Sequence, residues 1–272
     1  MCVNASRKKM TVPFIRAMKG KGTKIVALTC ADFITARLLD EAGVDIILVG
    51  DSLGTTFLGY ENTLSVTMRD MLHHLKAVTR TKLTALIVAD MPFGSYHQSC
   101  EQAVRNAVRL VREGGADAVK LEGGESQIDR IKAIVTAGIP VMAHLGLLPQ
   151  SILQEGGYRV HGRTLEQVEQ LKRDFGVIEK AGVFSCVLEY VVANVAEKIT
   201  RQASIPTIGI GSGGACDGQV LVTSDLLGLQ AWLEPRAARH YAEVGKLMKK
   251  AFETYAEDVR RGKFPSKRES FS

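Results

Sequence analysis

Ala42-Gly-Val-Asp-Ile-Ile-Leu-Val-Gly50 is the first of a set. The phrase returns as Gly115-Ala-Asp-Ala-Val-Lys-Leu-Glu-Gly123, as Ala137-Gly-Ile-Pro-Val-Met-Ala-His-Leu-Gly146 and as Ala181-Gly-Val-Phe-Ser-Cys-Val-Leu-Glu189. A looser copy is Ala203-Ser-Ile-Pro-Thr-Ile-Gly-Ile-Gly211. In most copies a glycine that stops a helix is followed at once by a short apolar run. This is the beat of repeated helix-to-strand steps joined by tight turns.

Working outward from these phrases, strands are expected near 24–29, 45–50, 84–90, 117–122, 140–145, 185–190, 206–210 and 219–223. Most are rich in Val, Ile and Leu with little alternation, as parallel strands covered by helices are. Between them lie stretches of helical spacing. Residues 99–113 start with Ser99-x-x-Gln102 and residues 164–180 with Thr164-x-x-Gln167, both capping-box patterns. Residues 34–42, 67–79, 126–137 and 192–203 carry apolar residues at helical spacing, and 235–262 reads as a long helix. Eight strand–helix units in about 250 residues suit a closed (β/α)8 TIM barrel better than an open doubly wound sheet. The expected organisation is one barrel domain over 1–272. A basic extension covers about 1–20 and a frayed polar tail about 262–272. The longest aperiodic connection, 147–163, is a candidate lid.

Composition narrows the class. With 46% hydrophobic and 24% charged residues, the 272-residue chain reads as an ordinary globular protein. No stretch reaches the roughly 18 uninterrupted apolar residues of a membrane span. The basic N-terminus has no apolar core of the secretory kind. Five scattered cysteines (Cys2, Cys30, Cys100, Cys186, Cys216) without a C-x-x-C favour free thiols in a reducing, cytoplasmic setting. The net charge of +6 gathers near the ends, as in Arg7-Lys8-Lys9 and Arg260-Arg261. No aromatic residues interleave with these charges to stack bases. They read as a solvated helix face and a floppy tail, not a nucleic-acid surface.

The strand ends are less ordinary. Four apolar runs finish on acids: Asp51 with Ser52, Asp90, Glu122 and Glu189. Lys120 lies two residues before Glu122. Unpaired buried charge is costly, so this placement asks for one shared polar site. In a barrel the strand ends and the loops after them form the catalytic face. Lys120 and Glu122, two apart on one strand, share a face. Asp51, Asp90 and Glu122 sum to −3; a divalent cation and Lys120 restore neutrality. Oxygen ligands at an open site suit Mg2+ better than zinc. Glu189, on a later strand in a mostly apolar pocket, is a candidate proton acceptor. Taken singly, each residue could instead be a structural ion pair or a turn cap. Ser52 could hydrogen-bond a ligand or cap the next turn. His144 could touch the ligand or be a satisfied core histidine. Gly209-Ile-Gly-Ser-Gly-Gly214 matches G-x-G-x-x-G formally. It comes late with no helix after it, so it reads as a tight loop at the barrel mouth.

In the order Val49-Gly-Asp-Ser-Leu-Gly54, Ala89-Asp-Met-Pro-Phe93, Val119-Lys-Leu-Glu-Gly-Gly124, His144-Leu-Gly-Leu-Leu-Pro-Gln150, Gly157-Tyr-Arg-Val-His-Gly-Arg163, Val187-Leu-Glu189, Gly209-Ile-Gly-Ser-Gly213 and Asp217-Gly-Gln-Val-Leu-Val222, the sequence resembles the ketopantoate hydroxymethyltransferase family. The resemblance covers about 20–228. It implies a cytoplasmic (β/α)8 barrel of the phosphoenolpyruvate/pyruvate superfamily type, acting in pantothenate biosynthesis. The implied reaction carries a one-carbon unit from 5,10-methylenetetrahydrofolate to 3-methyl-2-oxobutanoate through a Mg-stabilised enolate, giving 2-dehydropantoate and tetrahydrofolate. By resemblance, Asp51, Asp90 and Glu122 hold one Mg2+ per subunit. Asp51, Ser52, Asp90 and Lys120 contact the keto acid, and Glu189 accepts the proton. The family forms homo-oligomers, commonly decamers, and the resemblance implies small-molecule substrates with no nucleic-acid or membrane partner. The sequence departs from the family pattern at Thr29-Cys-Ala-Asp32, where Thr-Ala-Tyr-Asp is usual, and at Tyr190-Val-Val192, where Cys-Val-Pro is usual. The stretch after Leu229 fits poorly. A carbon–carbon lyase or mutase of the same superfamily is the alternative enzyme, although its Lys-Lys-Cys-Gly-His type of signature is absent. A non-catalytic ligand-binding barrel is the alternative outside enzymes.

Overall fold

A computed structural model of the chain describes residues 7–230 and 238–271. Cys2 and the start of the expected 235–262 helix lie outside the described residues. The described residues group into two compact units, one running to Leu221 and one starting at Val222.

The first unit is a closed barrel of parallel strands in sequence order, β1 (Ile25–Thr29), β2 (Ile46–Val49), β3 (Leu86–Asp90), β4 (Ala118–Glu122), β5 (Val141–Gly146), β6 (Ser185–Glu189), β7 (Thr207–Ile210) and β8 (Gly218–Leu221). Each expected strand is present within about two residues. Helices α1 (Val12–Ala17), α2 (Phe33–Glu41), α3 (Leu53–Thr56), α4 (Met68–Thr79), α5 (Cys100–Arg112), α6 (Ile128–Thr136), α7 (Ile152–Glu155), α8 (Leu165–Lys180) and α9 (Ala193–Gln202) belong to the same unit. Thr67, Ser99 and Thr164 each cap the helix that follows by accepting from the third residue on. The repeated glycines Gly43, Gly115, Gly138 and Gly182 all have φ near +80° to +90°. This left-handed turn lets each helix hand over to its strand at little steric cost.

Strand alternation divides the core in two. Ile46, Leu48, Leu86, Val88, Ala118, Met142, Val187 and Ile208 pack together inside the barrel with Phe184. Ile47, Val49, Ile87, Ala89, Val119, Leu121, Ala143 and Leu188 face the helices. The candidate residues keep the inner parity: Asp90 follows Val88, Lys120 and Glu122 follow Ala118, His144 follows Met142, and Glu189 follows Val187. The fold therefore aims them into the barrel's carboxyl-terminal mouth.

From Arg7 onward the amino-terminal segment is not the floppy basic tail expected from composition. Met10 and Ile15 are buried in the inner cluster. Arg7 pairs with Asp45 at 2.7 Å, Lys9 with Asp117 at 2.7 Å and Lys19 with Asp217 at 2.8 Å. Those aspartates also accept from the backbone N–H groups of Val26, Ile87 and Thr207, at the opening of β1, β3 and β7. Asp45 and Asp117 belong to the repeated phrase itself. They satisfy strand amides that have no ladder partner, and the basic segment neutralises them.

The connection 147–163 is more ordered than a plain loop. It holds a 3-10 turn at Pro149–Ser151 and α7, and His161 bridges to Val191. The second unit holds α10 (Thr223–Leu226) and α11 (Val244–Arg260); the long helix expected from 235 starts only at Val244, residues 238–243 being described and not helical. Within the expected tail, Ser266 and Glu269 form a capping box around Lys267–Glu269. Among the described residues no helix is long and apolar enough to cross a membrane.

Candidate active site

The strand ends of β2 to β6 form a continuous arc. Asp90 is opposite Lys120 in the ladder, Glu122 opposite His144, and Gly146 opposite Glu189. Asp51 follows β2, and its backbone N–H donates to Asp90 Oδ2 at 3.0 Å. Lys120 Nζ lies 3.1 Å from Asp90 Oδ1. Asp51, Asp90, Lys120, Glu122 and His144 are all buried. Ser52 heads α3 without using its hydroxyl as a cap, so the turn-cap alternative is not realised.

Crowding of charge away from water sets the protonation pattern. Burial, with Asp90 adding to it, pushes the Asp51 carboxyl up to about 7, against the opposing pull of Lys120 and Gln150. Burial and the Asp51 charge also carry Glu122 well above the usual carboxylate range. Burial disfavours the Lys120 ammonium, but Asp90, Glu122 and Asp51 outweigh that, and its proton is held more tightly than usual. Burial and Lys120 lower His144, which is therefore neutral near pH 7. Lys120 Nζ approaches His144 Nδ1 at 3.4 Å. An ammonium only donates, so Nδ1 accepts and the imidazole proton sits on Nε2. His144 Nε2 lies 3.1 Å from Glu189 Oε2.

Glu189 differs from expectation in one respect. Its carboxylate is 17% exposed and faces His144, so its surroundings are not a mostly apolar pocket. Its backbone is held from several sides. Tyr190, directly after it, has φ +48°, a left-handed conformation that costs a bulky residue about 1–3 kcal/mol. The turn is fixed by Tyr190 N–H to Ile210 O (2.9 Å), His161 N–H to Tyr190 O (2.8 Å) and Val191 N–H to Ser212 Oγ (2.9 Å). Ser212, inside the glycine-rich 209–214 stretch, also donates to Leu188 O at 2.7 Å. That stretch therefore braces the end of β6. At the departure Thr29-Cys-Ala-Asp32, Ala31 is buried and its carbonyl lies 2.8 Å from His74 Nδ1.

Among the described residues, no three His, Cys, Asp or Glu side chains converge into a ready-made cage. Magnesium does not require one, since it keeps several waters and takes one or two carboxylates with substrate oxygens. Asp90 Oδ1 and Glu122 Oε1 are buried with no hydrogen-bond partner, although Asp90 Oδ1 keeps its ion-pair distance to Lys120. Buried oxygens left open in an all-oxygen set fit a hard divalent cation. Because burial pushes the Asp51 carboxyl up to about 7, cation binding there must expel its proton. Apparent affinity is expected to rise about fivefold between pH 6 and 7. Calorimetric titration with Mg2+ in two buffers of different ionisation heat should report about one proton released. A pH-independent affinity would contradict the protonation pattern.

Beside the arc lies a cavity of about 540 Å3, lined by Gly124, Leu145, Gly146, Glu155, His161 and Gln170 among others. Gly146 has φ +94°, and a Cβ there would run into the carbonyl oxygen of Glu189, so cavity and strand end share a wall.

The sequence model of the family described as ketopantoate hydroxymethyltransferase matches residues 9–267. The chain belongs to this family. The match extends past Leu229, where the motif resemblance faded. A Clostridium novyi protein named 3-methyl-2-oxobutanoate hydroxymethyltransferase is 53% identical over 97% of this chain and 96% of its own length. One of the same name from Ignicoccus hospitalis is 55% identical over 95% of this chain and 97% of its own. Solved structures share the fold at lower identity. A phosphonopyruvate hydrolase in complex with oxalate and Mg2+ has a TM-score of 0.62 at 14% identity, covering 96% of this chain and 93% of that one. A 2,3-dimethylmalate lyase has a TM-score of 0.61 at 16% identity, covering 96% and 91%. The lyase and mutase alternative thus shares the architecture, while sequence places the chain with the hydroxymethyltransferases.

Proposed function

We propose that this chain is a 3-methyl-2-oxobutanoate hydroxymethyltransferase of pantothenate biosynthesis. In this reading it takes a one-carbon unit from 5,10-methylenetetrahydrofolate and gives 2-dehydropantoate and tetrahydrofolate. Relatives of that name at about half identity over nearly the whole chain support the activity. The observation that carries the site assignment is the arc itself: three buried carboxylates and a buried ammonium on one rim, with a fourth carboxylate 3.1 Å from a neutral histidine.

In this reading Asp51, Asp90 and Glu122 would hold Mg2+. The bound ion supplies electron withdrawal at the keto oxygen of the substrate. Lys120 offsets negative charge that grows on the substrate oxygens as the enolate forms. Asp51, Ser52, Asp90 and Lys120 orient the carboxylate and keto group of 3-methyl-2-oxobutanoate. Glu189 removes the C3 proton, with His144 Nε2 3.1 Å from its carboxylate. C3 bonds to the methylene carbon, both bonds from that carbon to the folate nitrogens break, water supplies the hydroxyl group, and the two nitrogens take up the C3 proton held by Glu189 and the second proton of the water. The cavity beside Gly146 gives the folate room next to Glu189, and 147–163 shields the mouth. A homo-oligomer, a decamer by resemblance, belongs to the same reading. The exposed Leu247, Phe252 and Tyr255 of α11 offer apolar surface for subunit contact.

The test is to incubate the purified chain with both substrates and Mg2+ and follow 2-dehydropantoate by NMR. Cation-dependent and folate-dependent product is expected. Cleavage of a 2-oxo acid or a phosphonate without folate would favour the lyase or mutase reading.

A further inference from the structure

Gln150 has no part in the reading above, yet it is tied to more of the site than its neighbours in the 147–163 connection. It is buried, 5% exposed. Its backbone N–H donates to Glu122 Oε2 at 2.9 Å. Its Nε2 donates to Asp51 Oδ2 at 2.8 Å and to Met91 O at 3.0 Å. Its Oε1 accepts from the Tyr96 hydroxyl at 2.7 Å. Tyr96 is also buried, and its hydroxyl accepts from Glu122 N–H at 3.3 Å.

These contacts leave the carboxamide one orientation. A flipped amide would set Oε1 against Asp51 Oδ2 and the Met91 carbonyl, acceptor against acceptor, and would leave both Nε2 protons toward Tyr96. Each contact also leaves something open. Asp51 Oδ2 and Glu122 Oε2 are held, while Glu122 Oε1 and the neighbouring Asp90 Oδ1 have no hydrogen-bond partner. Gln150 therefore holds two carboxylates that sit 99 and 28 residues away from it in the chain, Asp51 through its side chain and Glu122 through its backbone N–H. Removing an outer group that holds a metal's ligands in this manner typically costs about 10–100-fold in affinity.

We propose that Gln150 is a positioning residue for the cation site, clamping Asp51 and Glu122 in the rotamers that leave their other oxygens to a divalent cation, with Tyr96 clamping Gln150. This rests on the assignment of the cation to Asp51, Asp90 and Glu122. Gln150 touches neither reacting atoms nor cation; it acts through the carboxylates.

The probe is Mn2+ alone, without substrates, read by calorimetry and by the electron paramagnetic resonance spectrum of the bound ion. Gln150→Met keeps bulk and removes the side-chain hydrogen bonds. Its Mn2+ affinity is expected to fall about 10–100-fold, with a broadened or altered spectrum. Tyr96→Phe removes the orienting hydroxyl while keeping the ring and should weaken Mn2+ less. The double variant should be no weaker than Gln150→Met, since both act through one carboxamide. A folded Gln150→Met with wild-type affinity and spectrum overturns the proposal. If Gln150→Met does not fold, unchanged Mn2+ binding in Tyr96→Phe overturns it. Wild-type protein that binds no Mn2+ overturns the cation assignment and this inference together, whereas wild-type binding with an unaffected variant overturns this inference alone.

Discussion

Glu189→Gln is expected to lower the rate of hydroxymethyl transfer by about 10²–10⁴, the usual worth of a positioned general base. Binding of Mg2+ and of 3-methyl-2-oxobutanoate should stay within about threefold of wild type, because Gln has the shape of Glu and the residue lies outside the expected ligand set. The effect should be this large because the β6 end is braced from several sides. Tyr190 turns through a strained φ of +48°, Ser212 ties Val191 to Leu188, and Gly146 packs on the Glu189 carbonyl. A carboxylate held in this way is not readily replaced by another base. Steady-state kinetics beside calorimetric binding make the comparison. Near-normal turnover in the variant would remove Glu189 from the proton step.

Lys120→Met is expected to produce the largest change in stability. Lys120 is buried and pairs with Asp90 at 3.1 Å, and it is the cation that three buried carboxylates share. Removing it from a buried pair leaves uncompensated charge, which costs about 3–5 kcal/mol. The sign with pH follows from the carboxyls. Asp51 has its proton affinity raised to about 7, and Glu122 is raised as well. Such groups favour the folded state while protonated, and that contribution is lost as pH rises through about 7. Urea unfolding of the cation-free variant should therefore show the full loss at pH 8 and a smaller one at pH 5. Saturating Mg2+ at pH 8 should return part of it, since the ion replaces the missing positive charge. Equal stability of variant and wild type at pH 8 without cation would contradict the charge balance described for the mouth.

Much of this mouth could be read from sequence because strand periodicity does the geometry. Once Ala42–Gly50 and its copies are taken as parallel strands, residues two apart must share a face. Asp90, Lys120, Glu122, His144 and Glu189 then fall on the inner face by parity alone. The repeat also fixed where each helix stops, since the turn needs a glycine at φ near +80°. What escaped notice lies where no period constrains the side chain. Gln150 sits in an aperiodic connection, and its partners Asp51 and Tyr96 are 99 and 54 residues distant, so only the folded chain brings them together. The strain at Tyr190 has no signal in a residue type that normally avoids left-handed backbone. The ion-paired amino-terminal segment was missed for another reason. Arg7, Lys9 and Lys19 look like solvated charge until Asp45, Asp117 and Asp217 are placed opposite them. The aspartates of the repeated phrase were the available clue, because a recurrent acid at the start of a strand asks for a donor.

In the proposed function this arc of side chains removes the C3 proton of a 2-oxo acid with the help of a divalent cation. Exchange of that proton into D2O, followed by NMR on 3-methyl-2-oxobutanoate alone, tests it without the folate half of the reaction. Loss of the C3–H signal that requires Mg2+ and the wild-type chain, and that slows by about 10²–10⁴ in Glu189→Gln, is the predicted result. Exchange that ignores Mg2+, or that proceeds equally in Glu189→Gln, would contradict it.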